Sequence, residues 1–142
     1  MRAALGEDAA RVIVQTMVPP GLDLRIRAVA DDRIGPLISI GLGGSVADLI
    51  GDEHSRLAPL SEAGARALVS ESRAGAALAS RGLDAERVID TLLRAGQIVA
   101  DHPEITVLDL NPIIVSPDAC WVTDVVITIA PHEQIATPLR RL

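Results

Sequence analysis

Two apolar runs joined by turn chemistry constrain this chain more than anything else in it. The first covers residues 105–110 and leads through Asn111 into Pro112, and the second covers residues 120–130. Ser116-Pro117-Asp118 between them carries tight-turn residues, so the runs are predicted as neighbouring strands, with a short strand over residues 113–115 between them. Asn111 and Asp124 then fall side by side at one end of a sheet. A side-chain carbonyl oxygen next to a carboxylate suits Mg²⁺, a hard cation that takes oxygen ligands and favours phosphate as co-ligand. The same residues also fit an Asx turn, in which Asn-Pro simply closes a strand.

The remaining pattern reads as strands, then helices. Residues 11–18 are apolar and β-branched until Pro19-Pro20-Gly21 breaks them. Leu22–Val29 alternates apolar with polar, the period of a half-exposed strand. Asp31-Asp32 is a turn, and residues 34–42 form a third strand running into Gly43-Gly44. Short turn-rich links between these runs predict an antiparallel meander. Residues 46–51 fit no single element. Ser61 is a helix N-cap, followed by Ala63, Ala67 and Leu68 on one face. Gly75 and Gly82 punctuate a small-residue stretch. Asp84 caps a stronger helix to about Asp101, with Val88, Leu92, Ala95 and Val99 at helical spacing and Pro103 as its stop. The expected fold is α+β: an antiparallel sheet of five or six strands with helices packed on one face. One domain is expected over residues 11–130, after the end of a preceding helix or linker at 1–10 and before a loosely structured tail at 131–142.

Composition excludes some functions. Phe and Tyr are absent and Trp121 is the single aromatic, so the core is built from Val, Ile, Leu and Ala. Base stacking on aromatic rings is unavailable, and a net charge of −6 offers no basic footprint for a nucleic-acid backbone. One cysteine, Cys120, excludes an intramolecular disulfide framework and fits a reducing cytoplasm. Its apolar neighbours mark it as an inert buried thiol. No stretch is long and apolar enough to span a membrane as a helix.

A second candidate site is Gly41-Leu42-Gly43-Gly44 after the third strand. Glycines let backbone amides approach a phosphate and form an anion nest, and they equally well make a tight turn. Neither a Walker loop nor a dinucleotide fingerprint is present. Arg56 is placed to meet a phosphate or to pair with a surface acid. His54, in Asp-Glu-His-Ser, reads as a solvated turn residue, and His102 and His132 do not pair into a zinc site.

Four blocks now carry a resemblance. They are residues 12–24 (Val-Ile-Val-Gln-Thr-Met-Val-Pro-Pro-Gly-Leu-Asp-Leu), residues 35–44 (Gly-Pro-Leu-Ile-Ser-Ile-Gly-Leu-Gly-Gly), residues 56–60 (Arg-Leu-Ala-Pro-Leu), and Leu108-Asp109-Leu110-Asn111-Pro112 followed by Asp124. In this order and spacing, over residues 5–130, the chain resembles the C-terminal subdomain of the ATP-grasp domain of NDP-forming acyl-CoA synthetases. The closing Pro138-Leu139-Arg140-Arg141-Leu142 is similar to the tail of actinobacterial proteins that fuse such a synthetase to a GNAT acetyltransferase.

The resemblance implies roles. Asn111 and Asp124 would bind the Mg²⁺ of Mg-ATP, with Asp109 as a further metal-side acid. Gln15, Thr16 and Met17 match the segment beside the adenine. Asp23 and Asp48 stand where relatives carry Glu. Gly43 and Gly44 match a phosphate-side loop, and Arg56 its catalytic arginine. The activity implied is formation of acyl-CoA, ADP and phosphate from ATP, a carboxylic acid and CoA. The alternative is a non-catalytic regulatory or scaffolding domain within an acetyltransferase fusion. The chain departs from the family in having no lysine, whereas the first ATP-grasp subdomain brings one over the phosphates. The expected partners are therefore that missing N-terminal subdomain and the CoA-binding and ligase domains. Dimerisation through the face bearing Gln15 and Gly43-Gly44 is the other expected use of that surface, and the isolated chain is expected to be inactive.

Overall fold

The computed structural model describes residues 15–31, 33–45 and 51–131. Strands β1 (Leu22–Val29), β2 (Leu37–Leu42) and β3 (Glu53–Leu57) come first among these residues. Helices α1 (Glu62–Glu71), α2 (Arg73–Ser80) and α3 (Glu86–Asp101) follow. The last strands are β4 (Ile105–Val115), β5 (Cys120–Val122) and β6 (Val125–Ile129). All pairings are antiparallel, in the order β3-β2-β1-β4, and β5 and β6 share the far edge of β4. This is the expected α+β sheet with one helical layer.

The alternation in β1 decides which face the helices cover. Leu22, Leu24, Ile26 and Ala28 are buried, as are their cross-strand partners Ile38, Ile40, Leu108, Leu110, Ile113 and Val115. Against them pack Ala65, Leu68 and Val69 of α1, Ala74 and Leu78 of α2, and Val88, Ile89, Leu92, Ala95 and Val99 of α3. The odd-numbered β1 residues Asp23, Arg25 and Arg27 take the opposite face, which no helix covers among the described residues. Leu92 is fully buried at the middle of α3. Leu92→Ala is expected to cost about 3 kcal/mol through lost contacts and the cavity left behind, read as a lower urea midpoint at unchanged slope.

Capping follows the expectation at α1. The Ser61 hydroxyl accepts from the Gly64 amide at 3.1 Å, and Ser72 does the same for Gly75 at 3.0 Å, which separates α1 from α2. Asp84 is not the cap of α3: Ala85 holds the N-cap position with no side-chain cap, and Asp84, one residue earlier, accepts from the Glu86 amide at 3.0 Å.

Four expectations are corrected. Residues 15–18 belong to no strand, and residues 11–14 lie outside the described ones. The third strand begins at Leu37 rather than residue 34. Glu53, His54 and Ser55 of the Asp-Glu-His-Ser segment are not a turn but part of β3, an edge strand paired residue by residue with β2. Its Glu-His-Ser-Arg-Leu sequence has no apolar alternation, because the half-buried positions facing the helices are His54 and Arg56. Pro112 does not stop β4. The strand runs through it at a register shift, where Asn111 and Pro112 together face the single residue Arg25 on β1. A bulge is where a strand tolerates a residue without an N–H. Asp48, residues 1–10 and residues 132–142 also lie outside the described residues.

Candidate functional site

The bulge in β4 sits opposite a break in the neighbouring strand. Leu110 pairs with Val125 on β6 and Ile113 with Val122 on β5, so the register brings Asn111 opposite Asp124. Thr123 fastens this junction, donating to the Pro112 carbonyl from its amide at 3.2 Å and from its hydroxyl at 2.8 Å. Asp124 is exposed beside it. The Asx-turn alternative is therefore replaced by a position within β4 that faces the break between β5 and β6.

The glycine loop closes on the same place. The Gly43 amide donates to the Asp23 carbonyl at 2.9 Å, and the Gly44 amide donates to Asn111 Oδ1 at 2.8 Å. Gly44 has φ +80°, and a Cβ there would stand 3.0 Å from Asp23 Oδ2. Asp23, Gly44 and Asn111, from β1, the β2 loop and β4, thus converge on the open face, with Asp124 across from Asn111. The amide oxygen of Asn111 has two lone pairs, and the Gly44 amide takes one.

Asp109 lies two residues before Asn111 on the same face and is already engaged. Arg25 grips it with two hydrogen bonds, Nε to Oδ1 at 2.8 Å and Nη2 to Oδ2 at 2.5 Å. Glu53 lies 3.6 Å from Arg25 Nη1 and accepts from Ser39 at 3.0 Å. Each Asp109 oxygen accepts one guanidinium hydrogen bond, which fixes the side chain two residues before Asn111 and leaves each oxygen a further lone pair. Arg25 and Arg27 were not among the residues expected at the site. The alternation Leu22-Asp23-Leu24-Arg25-Ile26-Arg27 carried the signal, since it puts all three charged residues on one face.

Other expected residues stand apart. Arg56 pairs across strands with buried Ile38, so it faces the helices, where its Nη2 donates to Glu71 at 2.7 Å. Its place is on the opposite side of the sheet from Asp23 and Asp109. His54 is half-buried on that same side, opposite Ile40, and its Nδ1 has no hydrogen-bond partner. Gln15, Thr16 and Met17 are exposed and in no regular element. Burial pushes the Cys120 thiol above its ordinary pKa, in keeping with an unreactive thiol.

The donor set suits a hard cation in part. Among the described residues no group of three or more His, Cys, Asp or Glu side chains could hold a metal ion alone. One carboxylate and one amide oxygen are too few for the octahedral shell of Mg²⁺, which completes itself with water and substrate phosphate. The residues therefore fit Mg²⁺ only as it arrives with a phosphate ligand. No helix among the described residues is long and apolar enough to cross a membrane.

Comparison with known proteins places this geometry in context. A family model described as an ATP-grasp domain matches residues 2–129. The chain is 35% identical over 119 residues to the ADP-forming acetate–CoA ligase I of Archaeoglobus fulgidus, covering 80% of this chain and 17% of that protein. It is 30% identical over 117 residues to the beta subunit of the ADP-forming acetate–CoA ligase I of Pyrococcus furiosus, covering 80% of this chain and 50% of that subunit. The dinucleotide-forming acetyl-coenzyme A synthetase 1 of Ca. Korarchaeum cryptofilum, solved in complex with coenzyme A and Mg-AMPPCP, superposes with a TM-score of 0.76 and 38% identity over 80% of this chain and 55% of that one. The chain thus spans half or less of the length of these two curated relatives.

Proposed function

The chain belongs to the ATP-grasp domain family, and from that premise we propose that it is the metal-side half of the nucleotide site of an ADP-forming acyl-CoA synthetase module. The observation that carries this reading is the convergence of Asn111, Asp124 and the Gly44 amide on the uncovered sheet face. Bound Mg²⁺ would neutralise phosphate charge there, which is the main demand of phosphoryl transfer. Asn111 and Asp124 would hold the ion. The Gly43-Gly44 backbone keeps the loop against Asp23 and Asn111 and leaves no side chain in the way of a phosphate. Asp109, tied to Arg25, stiffens β4 next to the ligands. The other ATP-grasp subdomain would cover the nucleotide and bring the lysine this chain lacks. The carboxylic acid and CoA would be handled by further domains, and Gln15 to Met17 would lie on the nucleotide's base side.

The test uses Mn²⁺ as a paramagnetic stand-in, with ATP present. Trace Mn²⁺ should broaden the amide resonances of Gly44, Asn111 and Asp124 first. Broadening confined to acidic helix positions such as Glu62 and Asp90 would refute the assignment.

A further inference from the structure

We propose that Arg27 forms a second, cationic contact for the polyphosphate on the open sheet face, one that acts without the metal. Two guanidinium groups, Arg25 and Arg27, face one carboxylate here. Arg25 takes both oxygens of Asp109 by hydrogen bonds and is mostly buried, with 13% of its side chain exposed. Arg27 is left at 4.0 Å from Asp109 Oδ2, outside hydrogen-bond reach, with 38% of its side chain exposed. Its Nε is the atom that faces Asp109; it is enclosed and makes no hydrogen bond, so an incoming anion meets the exposed remainder of the side chain.

Position makes phosphate the fitting acceptor. Arg27 pairs across strands with Asp109, and Asn111 is two residues further along β4 on the same side. Two residues of strand span about 7 Å, within the combined reach of an arginine side chain and a triphosphate. An anion held by Mg²⁺ at Asn111 and Asp124 would lie within reach of a guanidinium whose planar donors match phosphate oxygens. The Ser39 hydroxyl, bonded at 3.2 Å to the Arg27 carbonyl and at 3.0 Å to Glu53, holds the backbone under the side chain. The choice of phosphate over another anion rests on the function proposed above, so the experiment separates the two.

The chain, labelled with ¹⁵N, is titrated with inorganic tripolyphosphate in EDTA and, separately, with Mg-ATP. Tripolyphosphate is expected to shift the Arg27 Nε–H resonance, and Arg27→Gln is expected to weaken its binding about tenfold, while Arg27→Lys retains part of it. Arg94→Gln, on the exposed side of α3, should change nothing. The inference is overturned if tripolyphosphate leaves the Arg27 resonance in place, if it moves all arginine resonances alike as an adventitious ion only, or if Arg27→Gln binds like the parent chain. Mg-ATP binding that survives Arg27→Gln unchanged would remove the Arg27 contact and leave the metal-side function standing. Tripolyphosphate binding at Arg27 with no Mg-ATP response at Asn111 or Asp124 would do the reverse.

Discussion

Gly43→Ala is expected to destabilise the chain by about 3 kcal/mol, at the upper end of overpacking costs. A Cβ on Gly43 would stand 2.3 Å from the Leu24 carbonyl oxygen and 2.4 Å from its carbon. These are backbone atoms of β1, so no rotamer change relieves the clash. The strand end must move, and with it the Gly43 amide bond to Asp23 and the Gly44 amide bond to Asn111. Leu24 is wholly buried against the helices, which leaves β1 little room to yield. Chemical denaturation should show a lowered midpoint with unchanged slope. A variant as stable as the parent would mean the loop is not seated on β1 as described. Gly44→Ala should be milder, since its nearest contact is a carboxylate that can swing away, although a side chain at φ +80° carries its own strain.

Asp124→Ala is expected to give the largest functional loss and almost no structural one. In a module completed with the other ATP-grasp subdomain, metal-dependent ATP turnover should fall about a thousandfold, the scale of losing a charged group that stabilises the transferring phosphoryl. Asp124 is exposed, lies between β5 and β6, and is outside the core, so the melting curve should move by no more than about 0.5 kcal/mol. Asn111→Ala makes an instructive contrast. It removes the acceptor of the Gly44 amide as well as a proposed metal ligand, and should add about 1 kcal/mol of destabilisation to its functional loss. Asp118→Ala, in the turn before β5, should do neither. Full turnover in the Asp124→Ala module would end the metal assignment.

Much of the fold was legible because one-sided burial writes itself into the sequence. Leu22–Val29 shows period two since one face meets helices and the other does not, and residues 88–99 show helical spacing for the matching reason. β3 was hidden because an edge strand with charged and polar residues owes its existence to backbone pairing with β2, which leaves no apolar period. Pro112 misled in a different way. A proline usually ends a strand, but here Asn111 and Pro112 bulge against Arg25, and the partner strand breaks at the same level. At the site, Asn111 opposite Asp124 followed from a hairpin register that two apolar runs and a turn already imply. The Arg25–Asp109 grip did not follow, because it joins residues 84 apart and depends on β1 lying next to β4. Arg56 on the helix side depends likewise on the β2–β3 register.

The helices cover one side of the sheet only, and this has a consequence for how such a chain can change over time. Nearly all the apolar burial that keeps it folded lies on the side of Leu24, Ile26 and Leu92, while Asp23, Arg27, Asn111 and Asp124 belong to the other. Replacement of an exposed residue on that other side removes little buried surface, so ligand preference can drift through many variants before the fold is put at risk. Divergence without collapse is built into the layering, and Arg25 with Asp109 marks its limit: that pair belongs to the chemical side, yet is too enclosed to be lost one partner at a time.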